Sequence, residues 1–578
     1  MRPHLLRLLA LTATSAVLAG CGDDRPADTT AGSDSSAVGG TLVIAAPAEA
    51  DILIPALVSS IEGKKVADMV FEPLAEIGPS LNTVGDEGFQ PRLAERWTWA
   101  PDSQSIAFHL NPRARWHDGR PVRAEDVRFT HALYVNPEVG SPQAPNVSDI
   151  DSVSVRDSLT AVFWFKRRFP EQFFTAVYHM HVLPKHLLGD TPAAALKSAP
   201  FARQPVGTGR FRFSRWTPSE RLELVADTSH YRGRAKLDRV VFSIAPDFTA
   251  ATTKLFAGEA DFFEVMRPEQ MPELARNASL KAVPYAGLDV GYMLFNMRDA
   301  KAGARPHPVL GDVAVRRALT MALDRETMVR SVLDSFGMVP LGPHVRATSG
   351  ADASVPQLAY DPARAAALLD SAGWRDANGD GVREKSGRPL AFTLLVPNSS
   401  KNRVRYSVLI QDQLKKAGVA VTIEELDFNA FGERLMRRRF DAAIDARHLD
   451  PSPIVIKQSW GGQAARARES SNYGSYANAR FDAAIDSASA ATDPARSRTY
   501  LRQAYRTLNE DAPAVWLYEP RMVAGAHKRL QITGMRADAW WAGIADWTVA
   551  PGQRIPRDRL GLASAAAPAP VRLANGSR

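Results

Sequence analysis

Between residues 390 and 426 the chain spells out a strand, a helix and a second strand. Residues 390–396, LAFTLLV, form an unbroken apolar run of strand length. Residues 402–417 carry apolar side chains at helical spacing through Val404, Val408, Ile410 and Leu414. Gly418 stops that helix, and VAVTIEEL resumes an extended pattern. Two strands of one sheet joined by a helix demand a parallel pair with a right-handed crossover. A different pattern occupies 93–110, where LAERWTW and SIAFHL alternate around Ala100-Pro101-Asp102-Ser103 and predict an antiparallel hairpin. The chain is therefore mixed α and β.

Two further helices show their starts. At Asp361-Pro362 and again at Asp493-Pro494, the aspartate can cap free N–H groups, and proline at the first helical position loses nothing. Gly373 provides the left-handed stop of the first. The second runs through Tyr500, Leu501, Ala504 and Leu508. At about 150 residues per domain, 578 residues predict three to four domains, or fewer large ones. The 45% hydrophobic and 23% charged content excludes a disordered or collagenous chain. A single cysteine excludes an internal disulfide.

The formal charge of +8 is small for this length, and the basic residues are scattered. The densest run, Arg437-Arg438-Arg439, reads as a solvated helix end, so no nucleic-acid partner is expected. Arg2 and Arg7 precede the mostly apolar stretch Leu8–Leu18, and Leu18-Ala19-Gly20-Cys21 follows. This resembles a bacterial lipoprotein signal: residues 1–20 are removed and Cys21 carries the lipid. Residues 21–40 then form a polar tether, and 562–578, rich in Ala, Pro and Gly, a loose tail. No later segment offers 18 consecutive apolar residues to span a membrane.

Candidate chemistry is sparse. There is no Gly-x-Ser-x-Gly elbow, His-Glu-x-x-His or phosphate loop. Gly207-Thr208-Gly209 runs into Phe211-Arg212-Phe213, a strand pattern, which argues against a dinucleotide site. Asp376-x-Asn378-x-Asp380-Gly381 opens like a calcium loop, but position 387, where the closing glutamate belongs, is glycine. A solvated turn is the expectation there. His179, His181 and His186 are read as structural, and Asp118-Gly119 after Trp116-His117 as a turn. No metal, cofactor or catalytic set is expected, so the residues describe an exported, tethered, multidomain protein that captures or presents something.

Several segments, in order, resemble one family, the extracellular solute-binding proteins of ABC importers of the peptide/nickel class, family 5. Residues 93–130 match its run from Leu-Ala-x-x-Trp through Asp-Gly-x-Pro to Ala-x-Asp-Val. Val206-Gly207-Thr208-Gly209-x-Phe211, 312–325 (DVAVRRALTMALDR) and the helix ending Ala372-Gly373 match as well, as does Gln413-Leu414-Lys415 before Gly418.

The resemblance implies a two-lobed, three-domain periplasmic-binding-protein-like α/β fold with a ligand cleft between lobes. It places a lobe I core at 41–60, 203–296 and 519–561, an extra domain at 61–202 and lobe II at 297–518. It further implies a monomer that binds a small molecule or short peptide, closes over it and presents it to an ABC permease. Peptide-binding members pair the ligand ammonium with an aspartate after a Phe-Asp segment; here Phe440-Asp441 leads to Asp450. Ala446-Arg447 and His448 replace the family's Gly-Trp, so Arg447 could meet a carboxylate or phosphonate. Asp450, Arg447, His448 and Trp460 are the candidate ligand-binding residues. For Asp450 a capping Asp-Pro pair remains the alternative. A sensory or scaffold lipoprotein of the same fold, or a secreted hydrolase, are the competing functions.

Overall fold

The computed structural model describes residues 38–301, 305–467 and 470–559. The leader, Cys21, most of the tether and the tail at 562–578 lie outside the described residues. Three sheets of four or more strands organise these residues. The first has seven strands, in the order Leu280–Tyr285, Met522–His527, Phe262–Phe263, Thr41–Ala46, Arg239–Ile244, Arg221–Ala226, Phe211–Thr217. The second has six, in the order Gly337–Met338, Ala514–Pro520, Asp289–Phe295, Ala442–His448, Ala391–Pro397, Ala420–Leu426. The third is a four-stranded antiparallel sheet, in the order Ala94–Trp99, Ser105–Leu110, Thr160–Phe165, Ile150–Asp157.

The strand–helix–strand unit is present. Ala391–Pro397 runs parallel to Ala420–Leu426, and the helix Lys401–Lys416 joins them. That helix buries Tyr406, Ile410 and Leu414, four residues apart, so its buried face centres on them. Val408 lies on the opposite side and is 54% exposed, contrary to the apolar face read from the sequence. The hairpin at 94–110 forms as expected, and Asp86 accepts from the indole N–H of Trp97 at 2.7 Å and of Trp99 at 3.2 Å. Both Asp-Pro caps form: Asp361 accepts the Arg364 N–H and Asp493 the Arg496 N–H, each at 2.8 Å.

Gly207 and Gly209 serve packing. A methyl group at Gly207 would lie 1.9 Å from the Val70 carbonyl oxygen, and one at Gly209 would lie 2.2 Å from that of Met69. The Gly209 N–H donates to the Val70 carbonyl at 2.8 Å. His117 completes the junction, with Nε2 2.9 Å from the Gly209 carbonyl and Nδ1 accepting the Gly207 N–H at 3.1 Å. Burial pushes its pKa down to about 4, so it stays neutral. Asp118 turns away to His186 at 2.7 Å.

The run at Arg437–Arg439 is only partly a solvated helix end. Arg438 has φ +55° and donates to the carbonyls of Ala465, Ala464 at 3.1 Å and Ala467 at 2.8 Å. It therefore ties the segment after Trp460 to the sheet.

The chain passes between the large sheets twice, at 286–288 and at Arg521. The first passage lies ahead of the boundary expected at 296/297, because Asp289–Phe295 already pairs with Ala442–His448 and Ala514–Pro520. The two passages lie side by side: Tyr285 is opposite Met522 on one side, and Gly291 opposite Tyr518 on the other. The joint is thus a two-stranded ribbon.

Candidate ligand site

The strand Ala442–His448 ends where Arg447 faces Val290 and His448 faces Asp289 on the neighbouring strand. Beyond it, Pro451 and Pro453 withhold two backbone donors, and the chain leaves the sheet for a short 3₁₀ turn, Pro453–Val455, and the helix Ile456–Trp460. Arg447, His448, Asp450 and Trp460 all reach one cavity of about 320 Å3. The six-stranded half supplies its walls, including Tyr292, Tyr473, Tyr505 and Trp516. Trp460 is buried and meets Trp516 edge-on, with ring centroids 5.4 Å apart.

Asp450 is partly buried, and Oδ1 accepts the Ser452 N–H at 2.8 Å. This differs from Asp361 and Asp493, which accept an N–H three residues on at the start of long helices. Among the described residues Asp450 makes no ion pair. Burial raises its pKa, and the Asp538 charge adds to the rise.

Ser452 connects this segment to the four-stranded-sheet side. Its hydroxyl lies 2.8 and 2.7 Å from the two carboxylate oxygens of Glu171, and the Thr83 hydroxyl donates to Glu171 at 2.5 Å. Burial pushes the Glu171 pKa up to about 7, the hydroxyl bonds partly offset this, and Asp450 adds to it.

Arg447 donates to the Ser459 hydroxyl and to the Ser471 carbonyl. Its guanidinium lies 5.1 Å from the Tyr473 ring centroid. Burial works against its charge, and Tyr292 and Asp445 more than offset this, raising its pKa. His448 is exposed; its bond to Asp289, at 3.2 Å, holds its pKa above the usual imidazole range. His344 stacks on Tyr505 with centroids 4.1 Å apart, and burial pushes its pKa down to about 3. The Tyr505 hydroxyl and His344 Nδ1 are buried without hydrogen-bond partners among the described residues.

Other candidates are dispersed. His181 meets Asp68 at 3.4 Å beside a second cavity of about 350 Å3, while His186 pairs with Asp118 elsewhere. A third cavity, of about 130 Å3, is lined by charges that pair with one another, such as Arg232 with Glu72 at 2.7 Å and Arg536 with Asp538 at 2.9 Å. The turn at 376–384 brings carboxylate oxygens of Asp376, Asp380 and Glu384 within 4.8 Å of one another at the surface. Reading position 387 alone had left Glu384 out. These carboxylates already accept backbone N–H groups, Asp376 from Gly379 at 2.7 Å and Gly381 at 3.0 Å.

The family model for bacterial extracellular solute-binding proteins, family 5 Middle, matches residues 88–463. The chain belongs to this family. A curated relative is the oligopeptide-binding protein AppA of Bacillus subtilis, 27% identical over 522 residues, covering 89% of this chain and 93% of AppA. The structure of that AppA with a nonapeptide superposes with a TM-score of 0.69, covering 89% of this chain and 99% of that one. The substrate-binding protein CtaP of Listeria monocytogenes gives a TM-score of 0.77 at 21% identity, covering 89% and 100% of the two chains. NikZ of Campylobacter jejuni in complex with Ni(L-His) gives 0.70 at 23%, covering 88% and 99%. The fold of this family-5 protein is therefore the two-lobed α/β fold of periplasmic binding proteins.

Glu171, Ser452, Tyr473, Tyr505, Trp516 and His344 were not anticipated at this site. Tyr505 follows Leu501 by four residues on the helix Pro494–Asp511 and so reads as ordinary core. No local signal marks Glu171.

Proposed function

We propose that this family-5 protein is a lipid-anchored receptor that captures a short peptide between its lobes and delivers it to an ABC importer in the membrane. Asp450 carries the reading. Its partly buried carboxylate stands at a cavity with aromatic walls, with one oxygen held by its own chain and no ion-pair partner among the described residues. A ligand ammonium satisfies that charge and offsets the effect of the burial that raises its pKa. The peptide ligands of AppA, a relative over most of both chains, support the same class. The aromatic walls accept the apolar part of a ligand without fixing its identity.

The test is calorimetry with pentaalanine and its N-acetylated form against the wild type and Asp450→Asn. Removing one member of a buried charge pair costs about 2–5 kcal/mol of binding. At about 1.4 kcal/mol per decade that is roughly 30- to 3,000-fold. Acetylation should weaken the wild type to a similar degree and the variant little further. If Asp450→Asn binds pentaalanine as the wild type does while melting earlier, Asp450 serves the Ser452 turn alone.

A further inference from the structure

The cavity beside Asp450 carries a second charge that the ammonium reading does not use. Arg447 is the cation among its lining residues, apart from the exposed His448. Among the described residues no carboxylate oxygen comes within ion-pairing distance of it. Two of its five donors are engaged by neutral oxygens of Ser459 and Ser471, and the Tyr292 hydroxyl is a further neutral neighbour that favours its charge. Asp445, whose charge steadies it from a distance, already accepts from the Tyr292 hydroxyl at 3.2 Å. Tyr505 contributes a buried hydroxyl without a partner at the same cavity, and His344 Nδ1 is a second unpartnered polar atom. A ligand that accepts hydrogen bonds satisfies the remaining guanidinium donors and the unmet phenol at the wall.

We infer that this cavity selects a ligand carrying a carboxylate, bound by Arg447 with the Tyr505 hydroxyl as a second donor, with Asp450 taking the ammonium of the same ligand. This rests on the peptide reading and narrows it to ligands with an acidic group at the cavity. A volume of about 320 Å3 admits a glutamate side chain with water or a neighbouring residue. Two sources offer the carboxylate: an acidic side chain and the peptide C-terminus.

The experiment titrates pentaalanine, its five single-glutamate and five single-glutamine versions, and the C-terminal amide of each, into the wild type, Arg447→Gln and Tyr505→Phe. One glutamate peptide should bind about tenfold or more tighter than its glutamine partner. Arg447→Gln should remove that difference, and Tyr505→Phe should reduce it. If amidation, and no glutamate position, makes the difference, the C-terminus is the source. Equal affinity for glutamate and glutamine peptides together with indifference to amidation overturns the inference and leaves the peptide reading standing. So does a preference that survives in Arg447→Gln, which would make Arg447 a strut to Ser459 and Ser471. If no peptide binds at all, both readings fall.

Discussion

Glu171 converts the contact between the two halves into a measurable pH dependence. It belongs to the four-stranded-sheet side, is buried, and bonds Ser452 of the six-stranded side. Burial lifts its pKa from 4.5 to about 7. At 1.36 kcal/mol per pKa unit this is about 3 kcal/mol between the protonation states. In the unfolded chain the carboxyl returns to its ordinary value. A raised folded pKa favours the protonated form, so the contribution is fully present below pH 4.5. It is lost progressively from pH 4.5 to about 7 and stays lost above that. Asp450, the charge facing Glu171, is also raised by burial and tilts stability in the same sense in any Glu171 variant.

Comparing the wild type with Glu171→Gln isolates the glutamate, because the amide keeps the shape and cannot ionise. Thermal unfolding at pH 4.5, 6, 7 and 8 should give melting temperatures that nearly coincide at the acid end and then separate. By pH 8 the variant should be the more stable protein, by an amount approaching about 3 kcal/mol. Melting curves that stay parallel from pH 4.5 to 8 would refute the argument. A variant less stable than the wild type at pH 8 would refute it equally, since the ionised carboxylate would then be the better partner for Ser452 and Thr83.

Two further outcomes are expected. Arg529, 1% exposed, donates to Asp261 at 2.9 Å, Asp558 at 2.8 Å and the Thr41 carbonyl at 2.8 Å, so Asp261→Asn should cost about 3–5 kcal/mol in denaturant unfolding; a loss under about 1 kcal/mol would show that the remaining bonds suffice. Cells expressing the wild type should incorporate labelled palmitate at Cys21 and Cys21→Ser should not, since firm attachment needs more than one acyl chain; an unlabelled wild type would remove the anchor.

Elements whose determinants are local could be read in advance. The Asp-Pro helix starts, the Ala100–Ser103 turn and the parallel unit at 391–426 each carry their signals within a few residues. The error at Val408 comes from phase: counting apolar residues at helical spacing does not say which of two faces meets the sheet, and Tyr406 decided it. Gly207 and Gly209 were visible as a pattern, but their cause, the backbone of Met69 and Val70, lies over 130 positions away. The site divides in the same way. Arg447, His448, Asp450 and Trp460 fall in one short stretch and could be proposed together. Glu171 and Ser452 are 281 positions apart, and only the folded chain makes them partners.

That short stretch also explains how a ligand could act on the hinge. His448 bonds Asp289, the first residue of the strand that follows one of the two passages between the sheets. Asp450 stands at the cavity, and Ser452 holds Glu171 on the opposite half. Five consecutive residues therefore touch the ribbon, the ligand cavity and the contact between the halves. An ammonium at Asp450 neutralises the charge that helps raise the Glu171 pKa, and so lowers the cost of ionised Glu171 at the contact near neutral pH. Under the proposed function, ligand and contact would thus strengthen each other. A ligand shifts an equilibrium only by its differential affinity for the two states. On the proposed function the difference would arise at Asp450, which accepts the N–H of Ser452, the residue whose hydroxyl bonds Glu171 on the other half.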